Sequence, residues 1–248
     1  MVQKRKGPPF SGAPVANTVD VAGTAAGPGV ETTAGQPAAP VRKRGRPRAF
    51  TPEVALSRAL DRFRDGGYAA TSLDDLSAAM GINRPSLYGA FGDKRELFLK
   101  AYERYREEVG GQFATAFDPA LTLRQSMERI FATALDVYLA GENGPRGCFT
   151  VMTAGSEAMA DPEIRGTVLR ALASTDKALR KLLELAIVRG ELPAGTDVEL
   201  LVQVAGSAIH TIAIRARAWT PRADLEVIAR RAIDFVCAGG AAPVERRR

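Results

Sequence analysis

Thr71–Phe98, TSLDDLSAAMGINRPSLYGAFGDKRELF, decides the fold of this chain. Ser72 precedes an apolar-periodic run, and Asp75 stands three residues on, the arrangement of a capping box. Leu73, Leu76 and Met80 fall on one face of the helix so started. Gly81 stops it, because glycine takes the left-handed conformation without a Cβ penalty. Asn83 caps a second helix, and Pro85 sits in its first turn, where a missing N–H does little harm. A further helix begins near Asp93. Helix, glycine turn and short helix is the outline of a helix-turn-helix, whose second helix reads the major groove of DNA. The spacing by itself also fits an ordinary helical hairpin.

Ordered motifs narrow that choice. Gly67-Tyr68 and Thr71-Ser72-Leu73 are followed by Met80-Gly81-Ile82, Ser86-Leu87-Tyr88, Phe91, Asp93-Lys94 and Glu96-Leu97-Phe98. Together they resemble the DNA-binding domain of the TetR family of transcriptional regulators, over roughly residues 46 to 100, about a fifth of the chain. The resemblance implies an all-α fold: an N-terminal three-helix helix-turn-helix domain, then a helical ligand-binding and dimerisation domain. It further implies a ligand-responsive repressor that binds a palindromic operator in double-stranded DNA as a homodimer, with a small-molecule effector.

Site residues follow position by position. Arg84, Pro85 and Ser86 open the recognition helix and are expected at base edges. Arginine is suited to this, because its fork bonds guanine O6 and N7 together. Tyr88 and Lys94 match family residues that contact phosphate. Ser72 and the amide end of its helix supply a third anchor. Against these stand plainer readings, a solvated charge for Arg84 and a core position for Tyr88. Gly89 and Ala90 depart from the bulkier residues of the family pattern, and Gly89 lowers helix propensity. The first turn of the recognition helix is therefore the part expected to read bases.

Charge adds an N-terminal element. The chain of 248 residues has a formal charge of +6. The whole excess lies in residues 1–50, where eight Lys/Arg face only Asp20 and Glu31. Within this arm, Lys43-Arg44-Gly45-Arg46-Pro47-Arg48 resembles an AT-hook, with Arg44, Arg46 and Arg48 expected in the minor groove of A·T-rich DNA. A merely basic linker is the alternative. The remainder of the chain is neutral, so binding there must come from placed groups and not from bulk charge.

Residues 1–41 are poor in large apolar side chains and read as a disordered extension. The arm spans 42–50, the DNA-binding domain 51–98, the effector and dimerisation domain 99–240, and a basic tail 241–248. Helices are expected from Pro52 to Asp65 with Thr51 as N-cap, and from Asp93 past Val109, with Gly110-Gly111 loosening or kinking it. Others are expected at about 121–139, 148–159, 162–189 (broken near Ser174), 197–219 and 221–238. No strand alternation competes.

In the second domain, Phe113, Phe117, Phe131, Leu135, Tyr138, Phe149, Met152 and Met159 are candidate pocket residues or plain core, and no ligand-binding residue is singled out. Val198, Leu201, Val202, Ala205, Ile209 and Ile212 form an apolar stripe, with Val227, Ile228, Ile233, Phe235 and Val236 on the last helix. By similarity to the family these two helices form the dimer interface, an isologous four-helix bundle. His210 reads as a core or interface residue. Cys148, after Arg146-Gly147, is a candidate redox or electrophile switch if a helix N-terminus lowers its pKa, and a buried structural cysteine otherwise.

The two cysteines, Cys148 and Cys237, lie far apart with no partner motif, which argues against a disulfide scaffold or a zinc site. They fit a reducing cytoplasm. No stretch reads as membrane-spanning. No cofactor is expected, and no metal. A lone histidine, without a P-loop or a Ser/His/Asp arrangement, argues against an enzyme. The rival reading is a DNA-architectural protein that uses the basic arm without sequence preference.

Overall fold

The structure is a computed structural model and describes residues 50–240. Arg44, Arg46 and Arg48, the extension 1–41 and the tail 241–248 lie outside the described residues.

Helix α1 (Pro52–Gly66) buries Ala55, Ala59, Leu60 and Phe63 along one stripe. Thr51 stands at its N-cap, but its side chain makes no capping hydrogen bond. Pro52 and the acidic Glu53 suit this helix start without one. Helix α2 (Leu73–Met80) carries the full capping box of Ser72 and Asp75, and Gly81 ends it at φ 68°. Helix α3 (Arg84–Phe91) is capped by Asn83, whose side-chain oxygen accepts from the Ser86 N–H at 2.9 Å. Helix α4 (Lys94–Ala114) opens on a second capping box, Asp93 with Glu96.

Leu76, Met80, Leu87, Phe91, Leu97 and Phe98 are fully or almost fully buried against α1. Tyr68 completes this core as a half-buried ring, its centroid 6.0 Å from that of Phe63 and 5.0 Å from that of Phe98. The aromatic packing then crosses to Phe149, whose ring lies 5.5 Å from Phe98.

Gly110 and Gly111 do not interrupt α4, which runs on to Ala114 and tightens into a 3₁₀ turn, Thr115–Phe117. Helix α5 (Leu123–Leu139) starts at a Thr122–Gln125 capping box. The helix expected over 148–159 takes a different form. Thr150–Ala154 is a π-helical turn, closed by a hydrogen bond from the Gly155 N–H to the Thr150 carbonyl, and only the short α6 (Gly155–Glu157) follows. Side-chain bonding matches the widened turn: the Tyr102 and Thr150 hydroxyls bond at 2.9 Å, and the Phe149 N–H donates to the Tyr105 hydroxyl. Helix α7 (Pro162–Val188) is continuous through Ser174, capped by Asp161.

Helices α8 (Val198–Arg217) and α9 (Arg222–Cys237) close the chain. Between them Trp219 holds φ 62°. Helix α8 packs against α5, α7 and α9. It corrects the expectation that no stretch is long and apolar enough to cross a membrane: by length and composition α8 is. Its apolar residues Leu201, Val202, Ala205, Ile209 and Ile212 nevertheless lie in the interior of the protein, 0–5% exposed. Among the described residues every regular element is helical.

Candidate nucleic-acid interface and effector cavity

The α2–Gly81–α3 unit sorts its side chains into two sets. Leu87 and Phe91 of α3 point into the core, while Arg84, Pro85 and Tyr88 are exposed and Ser86 is half-buried. Tyr88 is 48% exposed, so it is no core residue. Gly89 is exposed and has open space where a Cβ would stand, whereas Ala90 packs against the core. The middle of α3 thus presents little side chain, and its first turn presents most.

Arg84 is not a loose charge. Its Nε donates to Asp74 Oδ1 at 2.8 Å, and its Nη2 lies 2.7 Å from Oδ2. Asp74 sits in the first turn of α2, where the dipole favours an acid. Ser72 is engaged by its own helix: its hydroxyl donates to Asp75 Oδ2 at 2.7 Å and accepts from the Asp75 N–H at 3.1 Å. These bonds from Ser72, with help from Arg62, hold the Asp75 carboxyl below its ordinary pKa. Lys94 occupies the first position of α4, which runs against the helix dipole. Its ammonium lies 4.4 Å from the centroid of the Tyr68 ring, a cation–π contact that orients it.

The second feature is a cavity of about 300 Å³, open on one side and lined by α4, α5, α7, α8 and the π turn. Of the candidate pocket residues, Phe113, Phe117 and Tyr138 line it. Phe131, Leu135 and Phe149 are buried core instead, Met152 is half-buried, and Met159 is 86% exposed. Periodicity cannot separate these outcomes, because it sets every one of them on an expected apolar helical face; Met159 in fact lies in the turn after α6. The cavity also takes residues that apolar patterning passes over, among them Tyr105, Arg106, Cys148 and His210. Tyr105 donates to the Cys148 Sγ at 3.7 Å. Burial, and then the neighbouring Cys148, raises the pKa of the Tyr105 phenol well above its ordinary value. Burial lowers the pKa of His210, opposed by Asp176.

Two polar clamps connect these regions. Arg146, in the loop after α5, reaches Asp61 at 2.7 Å and Asp65 at 2.5 Å on α1. Arg217 at the end of α8 donates to the Asp65 carbonyl at 2.8 Å. On the other side Arg95 of α4 bridges Asp161 and Glu163 at the start of α7, which holds the Asp161 carboxyl well below the usual carboxylate range. The side-chain clamps join residues 66 to 85 positions apart, and no local sequence pattern signals them.

The stripe expected to form the dimer interface is turned inward. Leu201, Val202, Ala205, Ile209 and Ile212 are buried within the protomer, as are Ile233 and Val236 of α9. A different row of α8 faces outward, with Leu200 and Ile214 about half exposed and Val204 and Thr211 half-buried between them. Val227 of α9 is exposed as well.

Comparison with known proteins places this architecture. Residues 55–101 match the family model for bacterial regulatory proteins of the tetR family, and residues 126–232 match the tetracyclin repressor-like C-terminal domain. The HTH-type transcriptional repressor ComR of Escherichia coli (strain K12) is 29% identical over 177 residues, covering 71% of this chain and 84% of that protein. The repressor BdcR of the same organism is 46% identical over 61 residues, covering 25% of this chain and 31% of that protein. Among solved structures, a cysteine-substituted TetR family regulator CifR, complexed with 26 bp double-strand operator DNA, superposes with a TM-score of 0.71 at 30% identity. That match covers 77% of this chain and 98% of the other. A helix-turn-helix built on capping boxes and a glycine turn, followed by a helical domain around a cavity, and matched by these models and relatives, makes this chain a member of the TetR family of transcriptional regulators.

Proposed function

We propose that this chain is a ligand-responsive repressor that binds a palindromic operator as a homodimer. The observation that carries this reading is the outward first turn of α3. Arg84 and Pro85 are exposed there, with Ser86 beside them, while Leu87 and Phe91 anchor the helix to the core. Similarity to repressors, and to a regulator solved on operator DNA, supports it.

In this reading Arg84, Pro85 and Ser86 meet base edges, and Tyr88 and Lys94 meet phosphates. The Ser72 hydroxyl proton is engaged by Asp75, so a phosphate at this point would meet the first amides of α2. Arg44, Arg46 and Arg48 extend the grip into the minor groove. Residues 51–98 act as the DNA-binding domain and 99–240 as the effector and dimerisation domain. The outward row of α8, from Leu200 to Ile214, with α9, pairs two copies, because one short recognition helix reads too few base pairs for genomic selectivity. The cavity takes the small-molecule effector. A ligand that binds better when the two recognition helices are wrongly spaced for the half-sites releases the DNA. The protein acts in the cytoplasm and is not an enzyme.

Selection of bound fragments from random duplex DNA, followed by footprinting, tests this. A short palindromic footprint occupied by two copies is the expected result. Diffuse coverage without a consensus would instead indicate an architectural protein.

Cys148, on the cavity wall beside Tyr105, is proposed as the point at which an oxidant or electrophile acts. Cys148→Ser should abolish any oxidant-induced release from DNA. Release that persists in this variant rules the thiol out.

A further inference from the structure

We infer that Asp74 is a positioning residue for base recognition: it grips one edge of the Arg84 guanidinium and leaves the other aimed outward for a guanine. The inference rests on the DNA-reading role proposed above for Arg84.

A guanidinium presents two forks. The side fork is Nε with Nη2, and the end fork is Nη1 with Nη2. Asp74 occupies the side fork at both positions, 2.8 Å to Nε and 2.7 Å to Nη2. Nη1 has no partner among the described residues, and Nη2 keeps its second hydrogen. The end fork is therefore intact, and two parallel N–H groups of this kind can bond guanine O6 and N7 together.

Stability does not explain the pair. The Arg84 and Asp74 side chains are 53% and 76% exposed, and an ion pair so open to water contributes little to folding. Its effect is geometric. A free arginine loses rotamer freedom when it docks on a base, and that loss subtracts from affinity. Here the side chain is already bent, and its partner is carried on the rigid first turn of α2. Gly81 at φ 68° and the Asn83 cap set how α2 and α3 meet, so the spacing of the two residues belongs to the motif. An unpaired carboxylate this exposed would repel phosphate. Paired with Arg84 it makes a neutral unit that supplies direction and little net charge.

The two roles of Asp74, repulsion and aim, give opposite signs in one experiment. The probe is the duplex that wild-type protein enriches from random DNA, compared with derivatives in which each guanine is replaced, and with an unrelated duplex. Arg84→Ala should erase the preference for one guanine per half-site. Asp74→Ala should lower that same preference about tenfold, while binding to the unrelated duplex is unchanged or tighter. Asp74→Glu should recover part of the preference. Circular dichroism and thermal melting should show all three variants folded. If Arg84→Ala abolishes the preference but Asp74→Ala leaves it intact, even with tighter binding, the pair only restrains Arg84 and the inference fails. If Arg84→Ala leaves every base preference intact, the recognition role of Arg84 fails, and with it the role of Asp74.

Discussion

Arg146 and Asp65 tie the loop after α5 to the last turn of α1, with the Arg146 Nε 2.5 Å from the carboxylate and its Nη1 2.7 Å from the neighbouring Asp61. The Arg146 side chain is only 10% exposed and Asp65 22%, so water screens this contact far less than it does the Arg84–Asp74 pair. Four positions after Arg146 comes Thr150, which lines the cavity. The same short stretch therefore touches both the helix that supports the DNA-binding unit and the wall of the cavity.

Removing Arg146 leaves two carboxylates facing each other at the end of α1. Arg146→Ala should lower stability by about 2 kcal/mol, between the values for an exposed pair and a fully buried one. That corresponds to a melting temperature lower by about 4–8 °C for a chain of this size. Arg146→Lys restores the charge without the fork and should fall between the two. A melting temperature unchanged in Arg146→Ala would show that the clamp contributes nothing to folding.

The outward row of α8 predicts the oligomeric state. Leu200→Glu combined with Ile214→Glu places charges on the two most exposed apolar positions of that row and leaves the buried stripe untouched. The variant should sediment as a monomer and bind the selected operator at least about tenfold more weakly, since a half-site contact alone lacks affinity. A dimer that survives both substitutions would move the interface elsewhere.

Gly111 lies inside α4, and a Cβ added there meets nothing within 4 Å. Glycine in a helix interior is less favourable than alanine by about 1 kcal/mol. Gly111→Ala should therefore raise stability by roughly that amount in urea unfolding, with operator binding unchanged. No gain, or a loss, would mean that α4 needs the backbone freedom of glycine at this point.

His210 carries a pH dependence of definite sign. Burial lowers its pKa below the ordinary value of 6.5, with Asp176 acting in the opposite direction. The unfolded chain therefore takes up the proton first as the solution is acidified. The stabilising contribution is complete above about pH 6.5 and declines below it, until the folded pKa is passed. His210→Gln should flatten this step in urea midpoints measured on either side of about pH 6.5. Parallel pH profiles for wild type and variant would exclude His210 as its source.

How much of this was readable in advance follows the range of the interactions involved. Ser72 with Asp75, Gly81, and Asn83 with Ser86 act within a turn or two of the backbone, and each was legible from residue type and spacing. So was a helix start near Asp93, although the Asp93–Glu96 capping box there emerged only from the structure. Thr51 had the residue type of a cap but makes no side-chain bond, a difference that depends on side-chain rotamer and not on sequence. The π turn at Thr150 goes with hydroxyl partners on α4, more than forty positions away.

The amino-acid sequence by itself determined the helical class, the helix-turn-helix, and the exposed first turn of α3, because caps, glycine turns and apolar periodicity are local physics. Tertiary structure alone decided which apolar face of α8 turns inward. Periodicity shows that a stripe avoids water, but not whether its own chain or a second copy covers it. The fold likewise selected Phe113 and Tyr138 for the cavity and buried Phe131 elsewhere, and it set Asp74 against Arg84 and Arg146 against Asp65. Those partners are distant in the chain, and only the packing of whole helices brings their charges within a few ångströms.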